Sequence, residues 1–169
     1  MKNNQKFEFL VNKEKHTITI NREFLAERQL IWDCYTKKEL LDQWFGPKPL
    51  SNKTKTMDFS EGGHWHFAMV EPNGTEYWSL VEYLKIKPID FFTTIDAFSN
   101  EKGEINEELP RAKQTVKFFD KENASMVQTT ITYNSFKDLE TVIKMGMQEG
   151  MQSTLERLEK ILLTLKKQH

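Results

Sequence analysis

Apolar and polar residues alternate with a period of two near the start of the chain, at Phe7, Phe9 and Val11, and again in the β-branched stretch TITINREF. Side chains two residues apart share one face of a strand, so this pattern predicts two strands, and the turn-like NKEK between them predicts a hairpin. Residues 25–45, LAERQLIWDCYTKKELLDQWF, then show interrupted helical spacing, which predicts two short helices. The GPKP that follows ends the second helix, because proline lacks an amide donor and restricts the residue before it.

Between residues 54 and 133, stretches rich in β-branched and aromatic residues are separated by turn residues, which predicts an antiparallel meander. One connection, SNEKGEINEELPR at residues 99–111, is long and charged for a hairpin. It is interpreted either as a solvated loop or as a flap over an opening. The predicted strands are TKTMDF, GHWHFAMV, TEYWSLVEYLKI, DFFTTIDAF, KQTVKFFD and SMVQTTITY.

The last part of the chain, residues 135–167, has apolar residues at spacings of three and four and is predicted to form one long helix. Ser135 and Asp138 have the spacing of a capping box at its start. A helix of about thirty residues is roughly 45 Å long, enough to cross a curved sheet. Gly146 and Gly150 lie on or beside the apolar face, where each costs about 1 kcal/mol relative to alanine. We expect them to permit either close packing against the sheet backbone or space for a guest molecule.

Composition and charge favour one globular domain over residues 1–169, with residues 1–16 as an N-terminal strand or extension. Acidic and basic residues nearly cancel, 25 against 24, which argues against a nucleic-acid partner. The single cysteine, Cys34, is predicted to be a small buried hydrophobe in a reducing compartment. Because no apolar run approaches the roughly 20 residues needed to span a bilayer, we expect no membrane insertion and a cytoplasmic protein.

The stretch GGHWHFAMVEPNG holds two histidines, but alternation predicts that they do not form a metal site. Trp65, Phe67 and Met69 share one face of the strand and are expected to face the core, which places His64 and His66 on the outer surface. Two imidazoles without a third ligand fall short of a zinc site. We therefore expect neither a metal nor a cofactor.

Acidic residues also occur within the predicted strands, at Asp58, Glu82 and Asp96. A carboxyl that points inward would have its pKa raised by burial and could act as an acid or base, although solvated carboxylates are commoner. The sequence contains no nucleophile elbow, phosphate-binding glycine loop, zinc-protease motif or paired cysteines. It therefore names no catalytic residue.

The blocks REFLAERQLIWDCYTKKELLDQWFGP, GGHWHFAMVEPNG and GMQEGMQSTLERLEKIL, in this order, resemble the START-like (SRPBCC) superfamily. Within it, the chain is most similar to the subgroup that resembles the C-terminal domain of the activator of the heat-shock-90 chaperone ATPase. The resemblance implies an α+β helix-grip fold, in which a curved antiparallel sheet wraps around a long C-terminal helix, with two short helices after the first long strand. The chain departs from the family at the start of its first helix, where family members often have Asp-Ala-Pro and this chain has Leu25, Ala26 and Glu27. We therefore expect the first helix to lack a side-chain cap.

The resemblance also implies a cavity between sheet and helix, and we predict a non-enzymatic carrier or sensor of a hydrophobic or aromatic small molecule. Aromatic rings provide rigid apolar walls, and methionines adapt to irregular guests. The alternative is that these side chains simply fill the interior. The predicted lining residues are Trp44, Phe45, Met57, Phe59, Trp65, Phe67, Met69, Tyr77, Gly146, Met147, Gly150 and Met151.

Other functions stay open at this stage. The subgroup implies a chaperone as partner, and the superfamily includes cyclases and hydrolases, which would need a polar pair inside the cavity. An enzyme would need polar residues on the inner face of the sheet, and the candidates are Tyr77, Tyr83, Glu82 and Asp96. Alternation does not assign the faces of this strand, because YWSLVEYLKI is apolar on both sides. That apolarity permits a homodimer through an exposed patch, or burial of the patch under the opening hairpin.

Overall fold

Eight strands and four helices make up the computed structural model, which describes residues 7–167. Residues 1–6 of the predicted N-terminal segment and residues 168–169 lie outside this range. The elements, in chain order, are β1 (Phe7–Asn12), β2 (Thr17–Phe24), α1 (Arg28–Thr36), α2 (Lys38–Trp44), β3 (Ser51–Met57), β4 (His64–Val70), β5 (Glu76–Lys87), β6 (Phe91–Ser99), β7 (Ala112–Lys121), β8 (Ala124–Tyr133), α3 (Phe136–Lys144) and α4 (Met147–Lys167).

The strands form one curved antiparallel sheet in the order β1-β2-β8-β7-β6-β5-β4-β3. The register of β3 shifts between Thr54 and Thr56, and that of β5 between Tyr83 and Lys85. Such bulges bend a strand and increase its twist. Since β3 to β8 pair consecutively, the predicted meander is confirmed, and so is the helix-grip fold.

The core lies between the inner face of the sheet and helices α1, α2 and α4. Leu155, Leu158 and Leu162 are buried on one face of α4, as their spacing predicts. Cys34 of α1 is fully buried, and burial raises the pKa of its thiol to about 12. The N-cap of α1, Glu27, makes no side-chain capping hydrogen bond, in agreement with the sequence.

The C-terminal helical region contradicts the prediction of one long helix, because it is broken between α3 and α4. Ser135 caps α3 as predicted, accepting a 3.0 Å hydrogen bond from the Asp138 amide. At the other end Gly146 has a φ of +91°, a left-handed conformation that glycine adopts without strain, and its amide donates to the Ile143 carbonyl. A glycine on an apolar helical face therefore marks a helix end here.

The prediction that both histidines of β4 lie on the outer surface is correct for His64, which is exposed, and wrong for His66, which is only 6% exposed. The connection at residues 99–111 folds over His66, whose Nε2 lies 2.9 Å from the Asn100 carbonyl oxygen. Asn100 orders this loop, because its Oδ1 accepts hydrogen bonds from two backbone amides of the loop at 3.0 and 2.9 Å. The loop thus packs on the outer face of the sheet.

The apolar outer face of β5 is partly covered within the chain. Trp78 is buried, its ring 4.8 Å from that of His66 and below the ammonium group of Lys53. Leu80 and Leu84 are half-buried. The opening hairpin does not provide this cover, since β8, β7 and β6 separate it from β5. Homodimer formation stays a prediction.

Candidate ligand-binding cavity

A cavity of about 300 Å³ lies between the inner face of the sheet and the C-terminal helices. Side chains from β4 to β8 form its floor, and α2, α3 and α4 close it. The lining residues that keep exposed surface include Met69, Phe98, Pro110, Met147 and Met151. We place the mouth of the cavity among them, where the ends of β4 and β6 meet the start of α4.

One wall of the cavity is a cluster of aromatic rings from α2, from β4 and from Phe45, the residue that directly follows α2. Trp65 and Phe67 stack with ring centroids 3.9 Å apart, and Phe45 packs edge-on against them at 5.1 and 5.6 Å. The indole N–H of Trp65 donates to Thr54 Oγ1 at 3.0 Å, and that of Trp44 donates to a backbone carbonyl at 3.0 Å. Since both indole donors are occupied, this wall presents only apolar surface to the cavity.

A polar group, Asp96 of β6, lies two strands from Trp65 on the same inner face of the sheet and also lines the cavity. Its Oδ1 accepts a hydrogen bond from Thr94 Oγ1 at 2.6 Å. Burial raises the pKa of the Asp96 carboxyl to about 6, although the Thr94 hydrogen bond opposes the shift. Asp96 is half-buried and lines the cavity. Alternation along β6 places Thr94, Asp96 and Phe98 on this inner face.

Two tyrosines lie near this carboxyl, Tyr83 from β5 and Tyr133 from β8. Burial and the charge of Asp96 both raise the pKa of each phenol, so both stay protonated at neutral pH. The Tyr133 hydroxyl lies 3.8 Å from the Met147 sulfur. Among the described residues, no lysine, arginine or histidine lines the cavity.

The structure brings seven of the twelve predicted lining residues to the cavity. All seven are aromatic residues or methionines, and they lie in α2, β4 and α4 or directly after α2. These seven are Trp44, Phe45, Trp65, Phe67, Met69, Met147 and Met151.

The other five predicted lining residues lie elsewhere. Met57 and Phe59 pack against the hydrophobic core but do not line the cavity. Tyr77 is 52% exposed at the start of β5. A methyl group at Gly146 would meet nothing within 4 Å, and one at Gly150 would meet only a proline ring of the loop after α2, at 3.8 Å. Neither glycine therefore packs closely against the sheet backbone, and neither lines the cavity.

The polar lining residues are what the sequence interpretation mostly missed. The sequence predicts Asp96 as a candidate acid or base but does not determine its face. Glu82 lies on the outer face of β5, opposite His64. Alternation could have placed Thr94 and Asp96 together, since Phe92 and Phe98 continue the same face. The remaining polar lining residues are Tyr35, Ser79, Gln114, Thr129 and Thr154.

No group of three or more His, Cys, Asp and Glu side chains within residues 7–167 is arranged to hold a metal ion. No helix of the same range is long and apolar enough to cross a membrane.

Comparison with known proteins gives the family. The sequence model of the family described as "Activator of Hsp90 ATPase homolog 1-like protein" matches residues 25–163. The chain belongs to this family. The resemblance predicted from the three sequence blocks is thereby confirmed. Among curated proteins, no match is found for this member of the family.

Solved structures share the fold of this Hsp90-activator-like chain over most of its length. A protein from Arthrobacter aurescens has 26% sequence identity and a TM-score of 0.88, covering 93% of this chain and 91% of its own. A protein from Staphylococcus epidermidis has 30% identity and a TM-score of 0.81, covering 91% and 93%. The AHSA1 protein from Silicibacter pomeroyi, at 17% identity and a TM-score of 0.69, covers 90% and 99% and shares the fold alone.

Proposed function

We propose that this member of the Hsp90-activator-like family binds a hydrophobic or aromatic small molecule in its cavity, as a non-enzymatic carrier or sensor. The observation that supports this is the cavity of about 300 Å³ with a mostly apolar lining. An apolar cavity of about 150 Å³ is large enough for benzene, so this one suits a molecule of about two fused rings. Its volume lies at the lower end of the range of about 300–1,000 Å³ usual for ligand pockets.

The walls have the properties that such a ligand requires. The stacked pair Trp65 and Phe67, held edge-on by Phe45, offers a rigid flat surface that loses little conformational freedom on binding. Met147 and Met151 at the mouth have flexible thioethers that adjust to the shape of a guest. The arrangement thus combines a rigid interior with an adaptable entrance.

The first experiment is native mass spectrometry of freshly purified protein, to detect a retained small molecule. The second is thermal unfolding with naphthalene, which fits the estimated volume. A ligand at 100 times its Kd stabilises the folded state by about 2.7 kcal/mol, so binding would raise the Tm by several degrees. The proposal fails if no molecule is retained and neither naphthalene nor larger apolar probes change the Tm.

A matched pair of variants tests whether binding occurs in this cavity. Met151→Trp places a large ring at the mouth and should weaken naphthalene binding at least about tenfold, because the added ring occupies the guest's volume. Leu163→Trp makes a similar change at an exposed position of the same helix, 53% accessible, and should leave binding unchanged. Equal binding by both variants would place the ligand elsewhere.

Acid–base catalysis in the same cavity is a second candidate, because Asp96 and Tyr83 provide the inward polar pair that an enzyme would need. A carboxyl with a pKa of about 6 is suited to proton transfer near neutral pH. The test follows the mass of any retained molecule over time in the wild type and in Asp96→Asn. Conversion in the wild type alone would favour catalysis over simple binding.

Chaperone activation is a third candidate, which rests on the description of the family. The direct measurement is the ATPase rate of purified Hsp90 with and without the protein. An increase that survives Met151→Trp would point to a surface interaction independent of the cavity.

A further inference from the structure

Asp96 has a carboxylate oxygen that is free to meet a ligand. Oδ1 accepts the 2.6 Å hydrogen bond from Thr94, and within residues 7–167 no other side chain bonds this carboxyl. Oδ2 is not sealed within the protein and keeps surface open to the cavity. One acceptor atom is therefore satisfied by the protein and the other faces the place where the proposed ligand would lie.

The groups around Asp96 do not neutralise its charge. The titratable groups that face the cavity with it are Tyr83 from β5, Tyr133 from β8 and Tyr35 from α1, all phenols whose pKa is raised by burial. From β7 comes the amide of Gln114, and α4 contributes no ionisable lining residue. A buried carboxylate without a cation or a full set of donors is unfavourable. A donor on a bound ligand would remove that penalty.

We infer that Asp96 is the recognition group of this cavity and selects compact aromatic molecules that carry one hydrogen-bond donor, a hydroxyl or a protonated amine. This inference rests on the proposed binding function and specifies its ligand class. The aromatic part lies against the ring cluster of Trp65 and Phe67, while the donor points to Asp96 Oδ2. Molecules that end in a carboxylate are excluded, because a second negative charge would lie beside Asp96 without a cation to pair with either.

Two-ring probes that differ only in one substituent test this selectivity at pH 7.5 by isothermal titration calorimetry. The probes are naphthalene, 2-methoxynaphthalene, 2-naphthol, 2-naphthylmethylamine and 2-naphthoate. Hydrogen bonds to a charged group are among the stronger ones in proteins, so 2-naphthol should bind at least about tenfold more tightly than 2-methoxynaphthalene. The amine should also exceed the methoxy compound, and 2-naphthoate should bind most weakly.

Asp96→Asn removes the charge and keeps the size and the oxygen that accepts from Thr94. In this variant the preference for 2-naphthol over 2-methoxynaphthalene should fall below about threefold, and 2-naphthoate should gain affinity. The matched control is Glu82→Gln, which makes the same chemical change on the outer face of the neighbouring strand and should retain the preferences of the wild type. Circular dichroism verifies that each variant is folded.

The outcomes separate this inference from the proposed function. If naphthalene binds but the donors add nothing, or if Asp96→Asn preserves the preference, the inference is overturned while hydrophobic binding stands. If none of the probes binds, both are overturned. If 2-naphthylmethylamine binds more tightly than 2-naphthol and Asp96→Asn abolishes this preference, the inference is supported and the ligand is cationic. If 2-naphthol binds more tightly and Asp96→Asn abolishes that preference, the inference is supported and the ligand is a phenol or alcohol.

Discussion

Asp96→Asn should make the protein more stable at neutral pH, by an amount that depends on pH. The carboxyl has a pKa of about 6 in the folded protein against an ordinary value of 3.8. Below about pH 4 the carboxyl is protonated in both the folded and the unfolded chain. Between about pH 4 and 6 the unfolded chain has released this proton and the folded chain still holds it, so each rise in pH favours unfolding.

The size of the effect follows from the two pKa values. Each tenfold difference in proton affinity corresponds to about 1.4 kcal/mol, so ionisation of Asp96 costs the folded protein up to about 3 kcal/mol by pH 7. Asparagine occupies the same volume, can accept the Thr94 hydrogen bond and does not titrate. The stability of the variant minus that of the wild type should therefore increase by up to about 3 kcal/mol between pH 4 and pH 7.

Urea unfolding of both proteins at pH 4, 5, 6 and 7, without ligand, measures this difference. All other titrating groups occur in both proteins, so their contributions largely cancel. Thr94→Val is an informative third protein, because loss of its hydrogen bond to the carboxylate should raise the pKa of Asp96 further and enlarge the pH-dependent loss. A difference that stays constant within about 0.5 kcal/mol across the range would refute the claim that Asp96 is buried with its charge unpaired.

Three further predictions concern two backbone positions with their control and one half-buried arginine. Gly63→Ala should destabilise the protein by about 2 kcal/mol or more in urea unfolding, because the added methyl would lie 2.2 Å from the Asp58 carbonyl oxygen. Gly146→Ala should lower the free energy of unfolding by about 1–2 kcal/mol, because Gly146 has a left-handed conformation. Gly150→Ala should be neutral or raise it by up to about 1 kcal/mol. Equal effects of the two variants would contradict the break between α3 and α4. Arg157→Gln should lower stability by about 1–3 kcal/mol, since its guanidinium donates to two carbonyls of the loop after α2 at 2.7 and 2.6 Å, and a loss below about 0.5 kcal/mol would count against these bonds.

Local patterns were sufficient for most of the secondary structure. Alternation in TITINREF predicted β2, where Ile18, Ile20 and Phe24 are buried and the residues between them are mostly half-buried. The proline-containing GPKP predicted the end of α2 because proline acts on its own neighbours. The resemblance to the START-like superfamily implied the cavity, and seven of the twelve lining residues predicted with it line the cavity of the structure.

Two predictions that were wrong concern features that the spacing of apolar residues does not record. His66 is buried because a loop more than thirty residues later folds over it, which no period in β4 reveals. The apolar stripe runs through Gly146 without interruption, yet the helix breaks there, because an amphipathic pattern records which residues face the core and not whether the axis is continuous.

The amino-acid sequence by itself determined the succession of strands and helices along the chain and the apolar character of the ring cluster, because these depend on side-chain spacing within one segment. Its resemblance over three blocks determined the family. Tertiary structure alone decided that Asp96 shares an interior space with Trp65 and Phe67, through the pairing of β4, β5 and β6 and the curvature of the sheet. A carboxyl is solvated or buried according to what packs around it, so its raised pKa and its open oxygen are properties of the assembled fold.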